Sequence, residues 1–416
     1  MQRQIITNIG CLANARTETH VLRGKELAEL PCIENAYLVI SNGLIEDYGS
    51  MQNLPEAYND IATCNIQNAN GATVLPCWCD SHTHLVFAAS REEEFVDKIK
   101  GISYAEIAAK GGGILNSARK LNNTSEEILY HQAFMRLNEL IHLGTGAIEI
   151  KSGYGLTVEG ELKMLRVIKQ LKENSPIPIK ATFLGAHAFP EAYRNNHRGY
   201  IDLIIREMLP KIANENLADY IDVFCEEGFF SPEETESICI AGMQYGLRPK
   251  IHANQLHLSG GTQVGVKLGA VSVDHLETMD EDAITKLANS KTIGTLLPTA
   301  AYFLRMPFQP ARQLIDAGCA IALASDFNPG SSPSGNMNTV VSMSCIQMKM
   351  LPEEAINAAT INGAYSMELG EQTGSITPGK RANLIFTKPI SSLAYLPYAF
   401  GSNMIDKVII NGVFTE

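Results

Sequence analysis

The chain has 416 residues, 45% of them hydrophobic and 19% charged, which suits one large globular unit with an accessory domain. A formal net charge of −12 argues against nucleic acid or an anionic membrane as partner, although a local pocket can still be positive. The opening residues carry no secretory-type apolar run, and no stretch approaches the ~20 apolar residues of a membrane span. The nine cysteines are scattered and odd in number, so reduced thiols in a cytoplasmic protein are expected rather than a disulfide framework.

Residues 1–72 read as short strands. Ala36–Ile40 and Leu44–Ile45 are joined by Asn42-Gly43, a strong hairpin signal. The far end looks alike: Ala382–Phe386, then Lys407–Ile410 meeting Asn411-Gly412. Two β-rich ends (1–72 and 374–416) are expected to build one small β-sandwich. The middle, 73–373, alternates strand and helix. Ala72–Leu75 reads as its first strand, running into Pro76-Cys77-Trp78-Cys79-Asp80-Ser81-His82-Thr83-His84. Thr124 and Ser125 can cap a helix ending near His142, and Ala147–Ile150 is the second strand. Thr157 opens a helix with Leu162, Leu165, Ile168 and Leu171 on one face. Strands follow at Ile179–Leu184, Tyr220–Phe224, Pro249–Ala253, Ala270–Asp274, Thr292–Leu297 and Ala320–Ala324. Helices stand between them, one introduced by the capping box Ser231-Pro232-Glu233-Glu234. Eight strands alternating with helices predict a closed parallel (β/α)8 barrel, a TIM barrel.

Such a barrel places reactive groups at the C-terminal ends of its strands. His82 and His84 fall there, two apart and so on one side of extended backbone. Lys151 and Tyr154 follow strand two and His187 strand three. Glu226 and Glu227 follow strand four, His252 and His275 end strands five and six, and Asp326 follows strand eight. Five of the ten histidines converge in this way. His20, His131, His142, His197 and His257 do not, and read as surface or packing residues. Imidazoles with one carboxylate suit Zn or Fe with a position left open for water. His82, His84, His252 and Asp326 are the expected ligands, and His275 is placed to orient water or move its proton, or to serve as a supporting histidine. Glu226 and Glu227 could bridge a second metal, but one ion is favoured, since strand four ends in no lysine that could be carboxylated as a bridge. Cys77 and Cys79 read as buried core thiols.

At these residues the chain resembles the amidohydrolase superfamily, in which a metal-bearing barrel is paired with a β-sandwich made of both termini. Within it the chain is similar to the imidazolonepropionases over nearly its whole length. The similarity is carried by Asp80–Phe87, Gly111–Ile114, Glu149-Ile150-Lys151-Ser152-Gly153-Tyr154-Gly155, Phe183–His187, Asp274–Glu277 and Ser325-Asp326-Phe327-Asn328-Pro329-Gly330-Ser331. The HxH pair is common to the superfamily, whereas the second and last of the longer segments are far more specific. The resemblance implies metal-assisted hydrolysis of 4-imidazolone-5-propanoate to N-formimidoyl-L-glutamate, in histidine degradation. It also implies a small anionic heterocyclic substrate, one Zn or Fe ion per chain, and a homodimer. By the same resemblance, Arg91, Tyr154, His187, Gln255, Asn328, Gly330 and Ser331 would contact substrate, with Tyr104 a weaker candidate. His275 and Asp326 would carry the catalytic proton transfers. Arg91 can hold a carboxylate through two parallel hydrogen bonds, or pair with Glu92–Glu94 beside it.

Many relatives carry glutamate where this chain has Gln255, three residues after His252. An amide takes up no proton, so that duty passes to His275 or Asp326. The alternative reading is a deaminase or cyclic amidase of the same fold acting on another heterocycle. A third reading is a catalytically silent barrel used for binding, against which the complete ligand set speaks.

Overall fold

The computed structural model describes residues 3–59, 64–102 and 112–415. The N-terminal part supplies β1 (Arg3–Ala13), β2 (Cys32–Ser41), β3 (Leu44–Ser50), β4 (Cys64–Asn68) and β5 (Thr73–Pro76). The middle supplies β6 (Trp78–Thr83), β7 (Thr145–Lys151), β8 (Ile179–Ala186), β9 (Tyr220–Cys225), β10 (Arg248–Ala253), β11 (Ser272–His275), β12 (Ile293–Leu296) and β13 (Ile321–Leu323). The end supplies β14 (Leu384–Thr387), β15 (Ile405–Ile410) and β16 (Val413–Phe414).

The termini form one sheet in the order β16-β15-β14-β5-β1-β2-β3, with β4 attached to β1. Besides its antiparallel pairing with β2, strand β1 serves two parallel neighbours in succession. Its first half pairs in parallel with β4, and Cys11 and Leu12 pair with β5, across an irregularity between Ile6 and Ile9 where Asn8 has φ 53°. Alternate residues then face two cores. Ile6, Leu38, Ile40, Leu384 and Ile409 pack on one side, and Ile5, Tyr37 and Val39 on the other. The Asn42-Gly43 turn closes the β2–β3 hairpin with both residues at positive φ, as that tight turn demands.

The expected first barrel strand lies elsewhere. Thr73–Pro76 joins the terminal sheet, parallel to β1 and antiparallel to β14. The chain changes sheets within two residues: the amide of Cys77 donates to Asn383, that of Trp78 to Gly144. Two buried apolar runs separated only by Pro76 and Cys77 look like one strand by hydropathy alone. The barrel therefore starts at Trp78, which puts His82 inside β6 and His84 just beyond it.

Strands β6 to β13 form the parallel barrel in sequence order. The seam between β13 and β6 is closed just past the end of β13. The amide of Asp326 donates to the His82 carbonyl and that of His84 to the Phe327 carbonyl, each at 2.9 Å. Asp80 reinforces it, its buried carboxylate accepting from the Ser325 amide at 3.0 Å and hydroxyl at 2.6 Å. The anticipated helices stand around the ring. Ser125 and Thr157 accept from the first-turn amides of Glu126–His142 and Val158–Asn174, and Ser231 forms its capping box.

Candidate metal centre and substrate cavity

Four side chains from three places in the ring meet at its C-terminal end. His82 comes from β6 and His84 from just beyond it, His252 from β10 and Asp326 from the segment after β13. Asp326 Oδ1 lies 3.5 Å from His82 Nε2 and 3.6 Å from His84 Nε2, and the Nε2 atoms of His84 and His252 are 3.5 Å apart. All four residues are buried. Burial holds the three imidazoles well below their ordinary pKa, with Lys151 and the neighbouring rings adding to the effect, so they stand as neutral bases. His82 Nε2 has no hydrogen-bond partner. Neutral imidazole nitrogens converging on a carboxylate oxygen are a donor set that could hold a metal ion. His82, His275 and Asp326 also lie within reach of one ion, so among the described residues the two groupings describe one centre.

Carboxylates behind the histidines orient them. Asp274 Oδ2 lies 2.7 Å from His82 Nδ1. Asp222 Oδ2 lies 2.9 Å from His252 Nδ1, a contact too bent to be a hydrogen bond, while Asp222 Oδ1 accepts from the His252 amide at 3.1 Å. With Nδ1 facing a carboxylate, Nε2 is left free for a metal. Both aspartates belong to a buried ionic cluster in the barrel interior. Lys151 Nζ donates to Glu149 at 2.6 Å and Asp222 at 2.8 Å, and lies 3.5 Å from Asp274. Lys250 donates to the other Glu149 oxygen. Desolvation alone would depress Lys151, but Asp222, Glu149 and Asp274 outweigh it and hold it charged. The sequence reading passed over this cluster. Its signal was present in the alternation of Glu149 with Lys151, and of Lys250 with His252, along otherwise apolar strands.

His275 sits at the rim of the centre with Nδ1 3.5 Å from Glu277 Oε1. Burial would lower its pKa, but Glu277 outweighs burial and raises it. Burial lifts Asp326 to about 7, partly opposed by His275 and by hydrogen bonds from Asn328 and Ser331. Both His275 (φ 88°) and Asp326 (φ 51°) hold the left-handed backbone that bulky residues avoid, a strain that concentrates at working sites.

A cavity of about 500 Å³ is lined by Arg91, Tyr154, His187, Asn328, Gly330 and Ser331 together with Phe95, Ile99 and Phe303. His187 connects cavity to centre, its ring stacked on His84 at 5.2 Å. Arg91 is held by a hydrogen bond from Nε to the Ser117 hydroxyl at 2.8 Å, and its guanidinium lies 5.8 Å from the Tyr154 ring centre. Buried Glu161 shapes the loop bearing Tyr154, accepting from the amides of Gly153, Gly155 and Leu156 at 2.8–3.0 Å. Asn328 spends its polar atoms on its own turn. Its oxygen accepts from the Gly330 and Ser331 amides, and its nitrogen donates to the Asp326 carbonyl and the Ser331 hydroxyl.

Six of the seven residues assigned to substrate thus share one cavity. Gln255 is buried but not among the lining residues. Tyr104 and Gly111 lie outside the described residues. Glu226 points away from the centre: it accepts from the Leu256 amide at 2.8 Å and lies 3.1 Å from the His257 ring, and Glu227 is exposed. His20, His131, His142, His197 and His257 are all peripheral, His197 stacking on Phe189. Cys77 and Cys79 are fully buried, and burial raises both thiols.

The amidohydrolase family model matches residues 73–415, and the chain belongs to that family. A solved structure of Escherichia coli guanine deaminase superposes with a TM-score of 0.75 at 14% identity, covering 100% of this chain and 99% of that one, a likeness of fold. Two curated relatives are named imidazolonepropionase. One, from Flavobacterium johnsoniae, is 62% identical over 409 residues, and the other, from Christiangramia forsetii, is 56% identical over 410; each match covers 98% of both chains. Within the amidohydrolases the chain groups with the imidazolonepropionases, enzymes that are hydrolases. Among the described residues, no helix is long and apolar enough to cross a membrane.

Proposed function

We propose that the chain hydrolyses 4-imidazolone-5-propanoate to N-formimidoyl-L-glutamate, a step of histidine degradation, in the cytoplasm. The observation that carries this reading is the convergence of His82, His84, His252 and Asp326 next to His187, which stacks on His84 and lines the cavity that holds Arg91. Those four residues would hold one Zn or Fe ion, which when bound supplies an electrophile for the ring carbonyl and acidifies water. Water adds across the ring amide: the carbonyl carbon becomes the new carboxylate and the ring nitrogen takes the proton.

The chain's own residues do the rest. Arg91 binds the propanoate tail, its Nη atoms facing the cavity while Nε is tied to Ser117. Tyr154 and His187 pack the ring over the centre, His187 keeping Nδ1 on the Gly153 carbonyl at 3.1 Å. The Asn328–Ser331 turn lines the same cavity. His275 and Asp326 take and return the proton, since the amide of Gln255 cannot. Phe95 and Phe303, stacked at 5.5 Å, help to exclude water from above. A homodimer is part of the proposal. The strongly exposed Tyr398 and Phe400, near the helix Met337–Met348, offer it an apolar surface that sedimentation can test.

A deaminase or cyclic amidase acting on another heterocycle is not favoured, because the near-full-length relatives at 56–62% identity are named imidazolonepropionase. The test is turnover of freshly prepared 4-imidazolone-5-propanoate, with N-formimidoyl-L-glutamate quantified against a no-enzyme blank and a chelated sample. Product that chelation suppresses is expected. No product from metal-loaded protein would discard the substrate.

A further inference from the structure

The buried lysine at the end of β7 touches neither cavity nor centre, yet it contacts the oxygens that orient two of the ligands. Asp222 Oδ2 is 2.8 Å from Lys151 Nζ and 2.9 Å from His252 Nδ1. Asp274 Oδ2 is 3.5 Å from the same Nζ and 2.7 Å from His82 Nδ1. One ammonium therefore faces two carboxylate oxygens, and each of those oxygens faces one imidazole. Glu149 takes a further hydrogen bond from Nζ and fixes where the ammonium sits. All these side chains are fully buried or nearly so, and none has solvent as a substitute partner.

We infer that Lys151 is a positioning residue for the metal centre: through Asp222 and Asp274 it holds His252 and His82 together in the orientation that presents Nε2 to the ion. The inference rests on the metal-site reading above and goes beyond it. The ammonium acts through two carboxylate oxygens, Asp222 Oδ2 at 2.8 Å and Asp274 Oδ2 at 3.5 Å. Without it, Asp222 keeps its bond from the His252 amide and Asp274 its bond from the Ser272 hydroxyl, but the two oxygens that face the imidazoles lose the one ammonium they share. Removal of such outer partners commonly weakens metal binding 10–100-fold. Here one residue supports two of them, so its loss is expected to fall at the upper end.

The experiment compares wild-type chain with Lys151→Met, Lys151→Gln and Lys380→Met, each stripped and titrated with Zn²⁺ in competition with a chromogenic chelator. Lys380 is a buried lysine bonded to Thr373 and Ser375, remote from the ligands, and controls for general destabilisation. The expected result is Zn²⁺ affinity lowered about a hundredfold in folded Lys151 variants and unchanged in Lys380→Met. In the metal-free state, the ¹⁵N shifts of His82 and His252 should move together toward a mixture of tautomers. Wild-type affinity in folded Lys151→Met, or unmoved imidazole shifts, would overturn the inference. A wild-type chain that binds no Zn²⁺ would instead overturn the metal-site reading. If neither Lys151 variant folds, Asp222→Asn and Asp274→Asn decide, alone and combined. A shared lysine predicts that the combined loss is smaller than the product of the two, and a full product overturns it.

Discussion

The guanidinium of Arg91 lies over Gly330 so closely that a Cβ on that glycine would come within 2.5 Å of Nη1. Gly330→Ala should push the flexible end of Arg91 aside with little cost to the fold, within about 0.5 kcal/mol in urea unfolding. The carboxylate contact would suffer instead. kcat/KM should fall by an amount on the order of 2 kcal/mol, as expected for a charge-assisted pair, with most of the change in KM. A substrate analogue with an uncharged tail should be insensitive. Equal losses on both substrates would separate Arg91 from the tail.

Asp326→Asn removes the negative charge of the carboxylate that faces both His82 and His84. It should abolish turnover and lower bound metal, read by steady-state assay and elemental analysis. His131→Gln, at an exposed position of a peripheral helix, should leave both nearly unchanged. Similar effects from the two would undo the site assignment.

Glu161→Ala strands three buried amides, those of Gly153, Gly155 and Leu156. A loss of about 3 kcal/mol or more is expected in chemical denaturation, with reduced activity because the same loop carries Tyr154. Glu161→Gln keeps one acceptor oxygen and should lose less. A silent alanine variant would show that the loop is held by other means.

The barrel, the terminal sheet and the clustering of histidines at the strand ends are legible because each leaves a periodic or positional mark. Strands alternate with capped helices, Asn-Gly marks the hairpins, and histidines fall at strand ends. The sheet change at Cys77 was not legible, because hydropathy reports burial and not which sheet does the burying. Nor was the full Lys151 cluster: Glu149 alternates with Lys151 on β7, but Asp222, Lys250 and Asp274 lie on other strands and meet them only when the ring closes. Glu226 shows the converse: its position at a strand end suggested a ligand, but local amides and His257 claim its carboxylate.

Burial holds His187 down to about 4, opposed in part by the Gly153 carbonyl and by Asp222. Unfolded, it titrates near ~6.5. Its folded pKa lies below its unfolded one, so the unfolded chain binds the extra proton between these values. The stability it contributes is complete above ~6.5 and is lost as pH falls toward 4. His187→Gln should flatten the fall in stability over that window by up to ~1.4 kcal/mol per pH unit, measured by urea unfolding of metal-free protein. Superimposable slopes for the two proteins would contradict this account.

The seam that closes the barrel joins residues far apart in the chain: Asp80 and Ser325 are separated by 245 positions. On the ribosome, a nascent chain holds three of the ligand histidines long before it can hold a centre. Until the segment after β13 has emerged, His82 and His84 lack both their carboxylate neighbour and the strand that fixes their backbone. If these residues hold a metal as proposed, its capture would be a late event of synthesis, and a chain truncated before Asp326 would carry the motif without the site.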